Sequence, residues 1–139
     1  IFFSHFFVIQ KVIDYFIKYR LKNTSIVNIG SIVGKRGFEQ LSGYASTKSA
    51  LEGLTKSLAI EFAKEKIRVN IVNPGFIKTS YFNKFKKNKK LYNWTLQKTP
   101  LKKWGESSDV SELILFLLSD KSKYINGQAI SIDGGWTAQ

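Results

Sequence analysis

Ser25-Ile26-Val27-Asn28-Ile29-Gly30-Ser31 is a β-branched apolar run that ends in two small residues. Gly34 and Gly37 follow in a loop, then Gly43-Tyr44-Ala45-Ser46-Thr47-Lys48-Ser49-Ala50-Leu51, then Ile67-Arg68-Val69-Asn70-Ile71-Val72-Asn73-Pro74-Gly75. The order reads as buried strand, loop, helix over 44 to about 64, and strand. Strands that alternate with a helix of this length point to a parallel sheet in an α/β protein.

The same stretch carries a candidate chemistry. Tyr44 and Lys48 are four residues apart on the expected helix, which sets their Cβ atoms roughly 5–6 Å apart on one face. A tyrosine hydroxyl is a poor acid–base catalyst at neutral pH until a fixed cation stabilises its phenolate. Ser31, thirteen residues upstream of Tyr44, would direct its hydroxyl at the same substrate oxygen and hold a carbonyl or alkoxide without becoming a nucleophile. These groups suit carbonyl reduction or alcohol oxidation. Taken alone, a Tyr-x-x-x-Lys spacing is more often a surface pair, and the neighbouring segments decide otherwise.

Asn28-Ile29-Gly30-Ser31, Tyr44-Ala45-Ser46-Thr47-Lys48, Arg68-Val69-Asn70, Asn73-Pro74-Gly75 and Asp133-Gly134-Gly135 occur in this order, and together they resemble the short-chain dehydrogenase/reductase family over nearly the whole chain. The resemblance implies a Rossmann-type doubly wound parallel sheet and an NAD- or NADP-dependent oxidoreductase that interconverts a secondary alcohol and a ketone by hydride transfer. It implies Tyr44 as the acid–base residue, Ser31 as the group orienting the substrate oxygen, and Lys48 as the cation beside Tyr44 and a ligand of the nicotinamide ribose. Tyr44, Lys48, Pro74, Gly75, Ile77 and Thr79 form the implied cofactor side, with the Ile77 backbone toward the carboxamide and Thr79 toward the carboxamide or pyrophosphate. Pro74 and Gly75 also have a purely structural reading as the turn that ends a strand, and both roles can hold at once.

No glycine-rich dinucleotide fingerprint follows an early strand, and no acidic residue is placed to read a ribose hydroxyl. Residues 1–139 are therefore expected to be a single partial domain, the C-terminal half of such a fold, with the N-terminal dinucleotide-binding βαβ units missing. The chain contains no methionine and opens inside a helical-length segment, Ile1 to Lys22, with apolar positions at Phe6, Ile9, Ile13, Phe16 and Ile17. By the resemblance the family's catalytic asparagine falls at or just before Ile1, so Asn23 and Asn28 are not given that role. A doubly wound sheet cut near its middle exposes an apolar strand edge.

A hydrophobic content of 43% is enough for one core. The absence of cysteine excludes a disulfide framework, a thiolate metal site and a dithiol redox motif, and a cytoplasmic setting fits. Ser4, His5, Gln10 and Lys11 interrupt the apolar start, which reads as a buried amphipathic helix and not as a leader or membrane segment. His5 is the only histidine and has no ligand partners at a useful spacing, so no metal site is expected. In the family this first helix and the Tyr44 helix form a subunit interface, which implies a homodimer or homotetramer.

The net charge of +12 is concentrated in Lys78, Lys84, Lys86, Lys87, Lys89, Lys90, Lys98, Lys102 and Lys103, with Phe82, Phe85, Tyr92 and Trp94 interleaved. Such a pattern superficially resembles a nucleic-acid stacking groove. Its place after Pro74-Gly75 favours a lid over a small-molecule carbonyl or alcohol substrate, with aromatics excluding water and lysines either solvated or steering an anion; no nucleic acid and no membrane is expected as a partner. Ser107-Ser108-Asp109 offers an N-cap for a helix from Val110 to Leu118. Asn126-Gly127 marks a turn before a last strand, Gln128 to Ile132, and Asp133-Gly134-Gly135 reads as a structural turn. Lys98-Thr99-Pro100-Leu101-Lys102-Lys103-Trp104-Gly105-Glu106 and the Trp136-Thr137-Ala138 ending resemble sugar-acid dehydrogenases of the gluconate 5-dehydrogenase type somewhat more than 3-oxoacyl-carrier-protein reductases. The substrate expectation is thus a sugar acid or a 3-oxoacyl thioester. The competing reading is an inactive fragment or a binding and dimerisation module that keeps the tyrosine helix for packing.

Overall fold

The computed structural model describes residues 2–139. Ile1, and with it the position where the resemblance places the family's asparagine, lies outside the described residues. Helix α1 spans Phe2–Lys18, strand β1 Thr24–Ile29, helix α2 Ser42–Glu61 and strand β2 Ile67–Pro74. A short strand β3, Ile77–Lys78, leads into helices α3, Phe82–Lys87, and α4, Lys89–Lys98. Strand β4, Gly105–Glu106, helix α5, Ser107–Leu118, and strand β5, Ala129–Ile132, complete the order.

β1, β2 and β5 form a parallel sheet in the order β1-β2-β5. Side chains alternate across a strand, so β2 serves both faces. Ile67 and Val69 pack with Ile9 and Ile13 of α1 and Leu58 and Ala59 of α2 to form the core. On the opposite face Arg68 donates to the Leu117 carbonyl at 3.0 Å and the Ser119 carbonyl at 3.2 Å, tying the end of α5 to the sheet. The sheet is doubly wound, and the β-branched run of β2 is buried because helices cover it on both sides.

Among the described residues β1 pairs with β2 alone and forms an edge of the sheet. Its residues Thr24 to Val27 are half-buried, not buried as the apolar run suggested, and Ile29 is 40% exposed. The first helix is shorter than the expected Ile1–Lys22 segment. Arg20 and Asn23 take left-handed backbone with φ of 52° and 58°, and this turn carries the chain into β1. Only one stripe of α1 is buried, through Ile9 and Ile13, while Phe3, Phe7 and Val8 are exposed. α5 begins earlier than expected, at Ser107. Asp109 lies in its first turn and accepts the Glu106 backbone N–H at 2.7 Å, so the residues read as an N-cap sit inside the helix.

The Asn126-Gly127 turn occurs as expected, with Gly127 at φ +70°. Asn126 fastens it to the sheet, accepting from the Val69 N–H and donating to the Ala59 carbonyl, each at 2.9 Å. The Asp133 carboxylate folds the terminal turn by accepting from the Gly135 N–H, the Thr137 N–H and the Thr137 hydroxyl. Among the described residues no helix is long and apolar enough to cross a membrane, and no group of three or more His, Asp or Glu side chains is gathered as a metal would require.

Candidate active site

The C-terminal ends of β1 and β2 open onto a cleft of about 340 Å³. Ser31, Tyr44, Lys48, Pro74, Gly75, Ile77 and Thr79 all line it. A parallel sheet presents its strand ends on one edge, which is where open α/β folds place ligands.

Local geometry explains the convergence. After Gly30 the chain tightens into a single 3₁₀ turn, Ile32–Gly34, which Ser31 caps by accepting the Val33 N–H at 3.2 Å. That bond uses a lone pair of Oγ and leaves the Ser31 O–H to donate elsewhere. The turn docks on α2: Ser49 donates to the Gly34 carbonyl at 2.7 Å, and a Cβ on Gly34 would lie 3.1 Å from the Lys48 backbone. Close approach of turn and helix therefore sets Lys48 and Tyr44 relative to Ser31.

Lys48 is buried, with 8% of its surface exposed, and its ammonium donates to the Ile29 carbonyl at 2.7 Å. Burial pushes its pKa below the ordinary lysine value. The Nζ atom lies 5.6 Å from the centre of the Tyr44 ring. Tyr44 is 41% exposed and lines the cleft.

Behind Ser31, Asn73 is fully buried and its Oδ1 accepts the Ser31 backbone N–H at 3.1 Å. A Cβ on Gly30 would fall 1.8 Å from that oxygen. Gly30→Ala should therefore cost about 1–3 kcal/mol through overpacking and displace Asn73 from Ser31, seen as a lower urea midpoint with an unchanged m-value. On the other wall Gly75 lies against Asp133, where a Cβ would meet the Asp133 Cβ at 2.7 Å, so the terminal turn requires glycine there.

Phe76, Tyr81, Phe82, Phe85 and Trp104 line the remainder of the cleft. Trp104 is 5% exposed and sits among Phe76, Phe82, Phe85 and Tyr92, with ring centres 5.2, 5.1, 5.0 and 5.7 Å away. Its indole N–H donates to Thr95 Oγ1 at 2.8 Å. The segment from 79 to 104 is thus two helices packed on one indole, pinned at its stem by the β3–β4 pair and a Lys78–Glu106 ion pair. Sequence reading identified Phe82 and Phe85 as lid aromatics but not Phe76 or the central place of Trp104, because neither belongs to a periodic apolar stripe.

Fold and site together define an α/β protein with a serine, a tyrosine and a buried lysine at the strand ends of a parallel sheet. Residues 2–137 match the family model described as Enoyl-(Acyl carrier protein) reductase. The 3-oxoacyl-[acyl-carrier-protein] reductase FabG of Thermotoga maritima is 45% identical over 130 residues, covering 94% of this chain and 51% of that protein. The 2-dehydro-3-deoxy-D-gluconate 5-dehydrogenase of Dickeya dadantii is 35% identical over 136 residues, covering 98% and 53%. Among solved structures, a protein from Agrobacterium tumefaciens with bound NADP superposes with a TM-score of 0.94 at 30% identity, covering 98% of this chain and 55% of that one. A 4-hydroxyisoleucine dehydrogenase complexed with NADH gives 0.93 at 36% identity, covering 98% and 56%. The chain belongs to the short-chain dehydrogenase/reductase family. It spans about half the length of the curated relatives it matches.

Proposed function

We propose that the protein carrying this chain is an NAD- or NADP-dependent oxidoreductase that interconverts a secondary alcohol and a ketone in the cleft at Tyr44. The observation that carries this reading is that Ser31, Tyr44 and Lys48 line one cleft with Pro74, Gly75, Ile77 and Thr79. In the reducing direction the Ser31 O–H donates to the carbonyl oxygen, and Tyr44 delivers its proton to that oxygen as charge develops there. Lys48 stabilises the phenolate left behind. Oxidation runs the same proton backward. The nicotinamide ring, when bound, supplies or accepts the hydride. The residues present fit its nicotinamide end: Gly75, Ile77 and Thr79 line the same cleft, and Lys48 is at hand for the ribose. Bound NADP and NADH in the two structural neighbours support the assignment.

The substrate is an anionic oxo compound, a sugar acid or a 3-oxoacyl thioester on an acidic carrier. Among the described residues no Asp or Glu lines the cleft. Lys84 lies 5.5 Å from the ring of Tyr81 and Lys86 lies 5.7 Å from that of Phe82, so two ammonium groups stand beside wall residues of the cleft. An anionic ketone should lose about fivefold or more in kcat/KM between about 0.01 M and 0.1 M ionic strength, as the screening length shrinks from about 30 Å to about 10 Å. A neutral ketone of the same shape should show no such loss, and Lys84→Gln with Lys86→Gln should flatten the response. Turnover of a 5-oxo sugar acid and a 3-oxoacyl thioester with NADH and with NADPH tests the reading. If neither substrate turns over with either cofactor, it fails.

The exposed Phe3, Phe7 and Val8 on α1 favour a further element of this reading, a homodimer or homotetramer built through that helix. The same face is what an inactive dimerisation module would use, and turnover separates the two.

A further inference from the structure

The face of α2 that carries the cleft residues continues below them. Tyr44, Lys48 and Glu52 follow one another at intervals of four, so one helical stripe presents all three. Tyr44 and Lys48 line the cleft, whereas Glu52 turns to the sheet, where its Oε1 accepts from Asn73 Nδ2 at 2.6 Å. The other end of that carboxamide holds the Ser31 N–H at 3.1 Å.

A primary amide is nearly symmetric in shape, so its orientation is set by the polarity of its neighbours. An ionised carboxylate only accepts. It therefore fixes the nitrogen of Asn73 toward Glu52 and the oxygen toward Ser31. Flipped, the carboxamide would set its NH₂ against the Ser31 N–H, donor against donor, at an Asn73 side chain that is itself fully buried. The bare α-carbon of Gly30 leaves room for this one placement of Oδ1.

We propose that Glu52 is a positioning residue for Ser31, acting through the orientation of Asn73. The serine is held by a carboxylate on the same helix that carries Tyr44 and Lys48, so the strand end and the helix are locked in register across the cleft. The catalytic consequence rests on the function proposed above; the structural relay does not.

The test compares Glu52→Leu with Glu52→Gln in the ¹⁵N-labelled protein that carries this chain. Glu52→Leu should speed solvent exchange of the Ser31 N–H by about tenfold or more, since an open amide loses most of its protection. It should lower kcat by about 10- to 100-fold, the scale of a small misplacement, while KM for the cofactor moves by less than about twofold. Glu52→Gln keeps an acceptor oxygen and should stay within about threefold of wild type in both. Where Glu52→Leu does not fold, Glu52→Ala, a helix-favouring truncation at a half-buried position, replaces it. Unchanged Ser31 exchange in the apolar variant overturns the proposal, as does a Gln variant as impaired as Leu, or a released Ser31 with full kcat. If the wild type turns over nothing, the enzyme reading falls, and the exchange comparison alone decides the role of Glu52.

Discussion

Tyr44→Phe should lower turnover by about 10²–10⁴-fold, the range that a positioned general acid–base contributes, while leaving the fold intact. The substitution removes one oxygen from a side chain that is 41% exposed, and exposed polar deletions of this kind cost within about 0.5 kcal/mol. The ring remains under the Lys48 ammonium, 5.6 Å from its centre, so packing of α2 against the 3₁₀ turn is preserved. The loss should appear chiefly in kcat, because the proton path is cut while Lys48, Pro74, Gly75, Ile77 and Thr79 on the implied cofactor side are unchanged. A Phe variant with wild-type kcat would remove Tyr44 from the chemistry and leave its place in the cleft without a role.

Trp104→Ala should be the most damaging single change to stability. The indole is 5% exposed and touches four aromatic rings that belong to the loop after β2 and to α3 and α4. Truncating a buried tryptophan to alanine costs about 3–5 kcal/mol, against a total stability of about 5–15 kcal/mol for a typical domain. Phe76, Phe82 and Phe85 line the cleft as well as pack on Trp104, so the cavity would open into the substrate wall. Trp104→Phe keeps a ring in place and loses only part of the volume and the bond to Thr95; it should cost clearly less. Urea unfolding followed by far-UV circular dichroism measures both variants, and a loss below about 1 kcal/mol for Trp104→Ala would show that the lid helices are held by something else.

The contrast between these two residues explains what the sequence discloses. Tyr44, Lys48 and Ser31 are legible because each lies on or directly beside a strongly patterned element: β1 and β2 announce themselves by β-branched runs, and α2 by its buried stripe at Leu51, Thr55 and Leu58. Pro74, Gly75, Ile77 and Thr79 are singled out by the family resemblance, and they line the cleft because they follow directly on the end of β2. The lid is different. Between Thr79 and Lys103 the lysines carry no helical period, and α3 and α4 exist because their aromatics meet Trp104, a tertiary fact with no local signature.

Glu52 is hidden for a related reason. A glutamate on a helix reads as solvent-facing, and only the register of α2 against β2 reveals that it meets the amide of Asn73. The C-terminal end of α1 and the start of α5 shift from their expected places through turn chemistry at Arg20, Asn23 and Glu106, where one residue in a left-handed or capping conformation outweighs the apolar pattern beside it, while α5 ends at Leu118 as expected. The edge character of β1 was legible as a consequence of the resemblance, and it appears in the half-burial of residues that a central strand would bury.

The most direct test of the central claim follows the two hydrogens separately. The protein carrying this chain is given an anionic ketone and nicotinamide cofactor deuterated at the reactive carbon, in ordinary water. The account predicts an alcohol with deuterium on the former carbonyl carbon, formed by wild type, formed more slowly when the water is replaced by D₂O because the Tyr44 proton is in transfer, and lost in Tyr44→Phe. Recovery of the cofactor with its deuterium untouched, in wild type and variant alike, would contradict it.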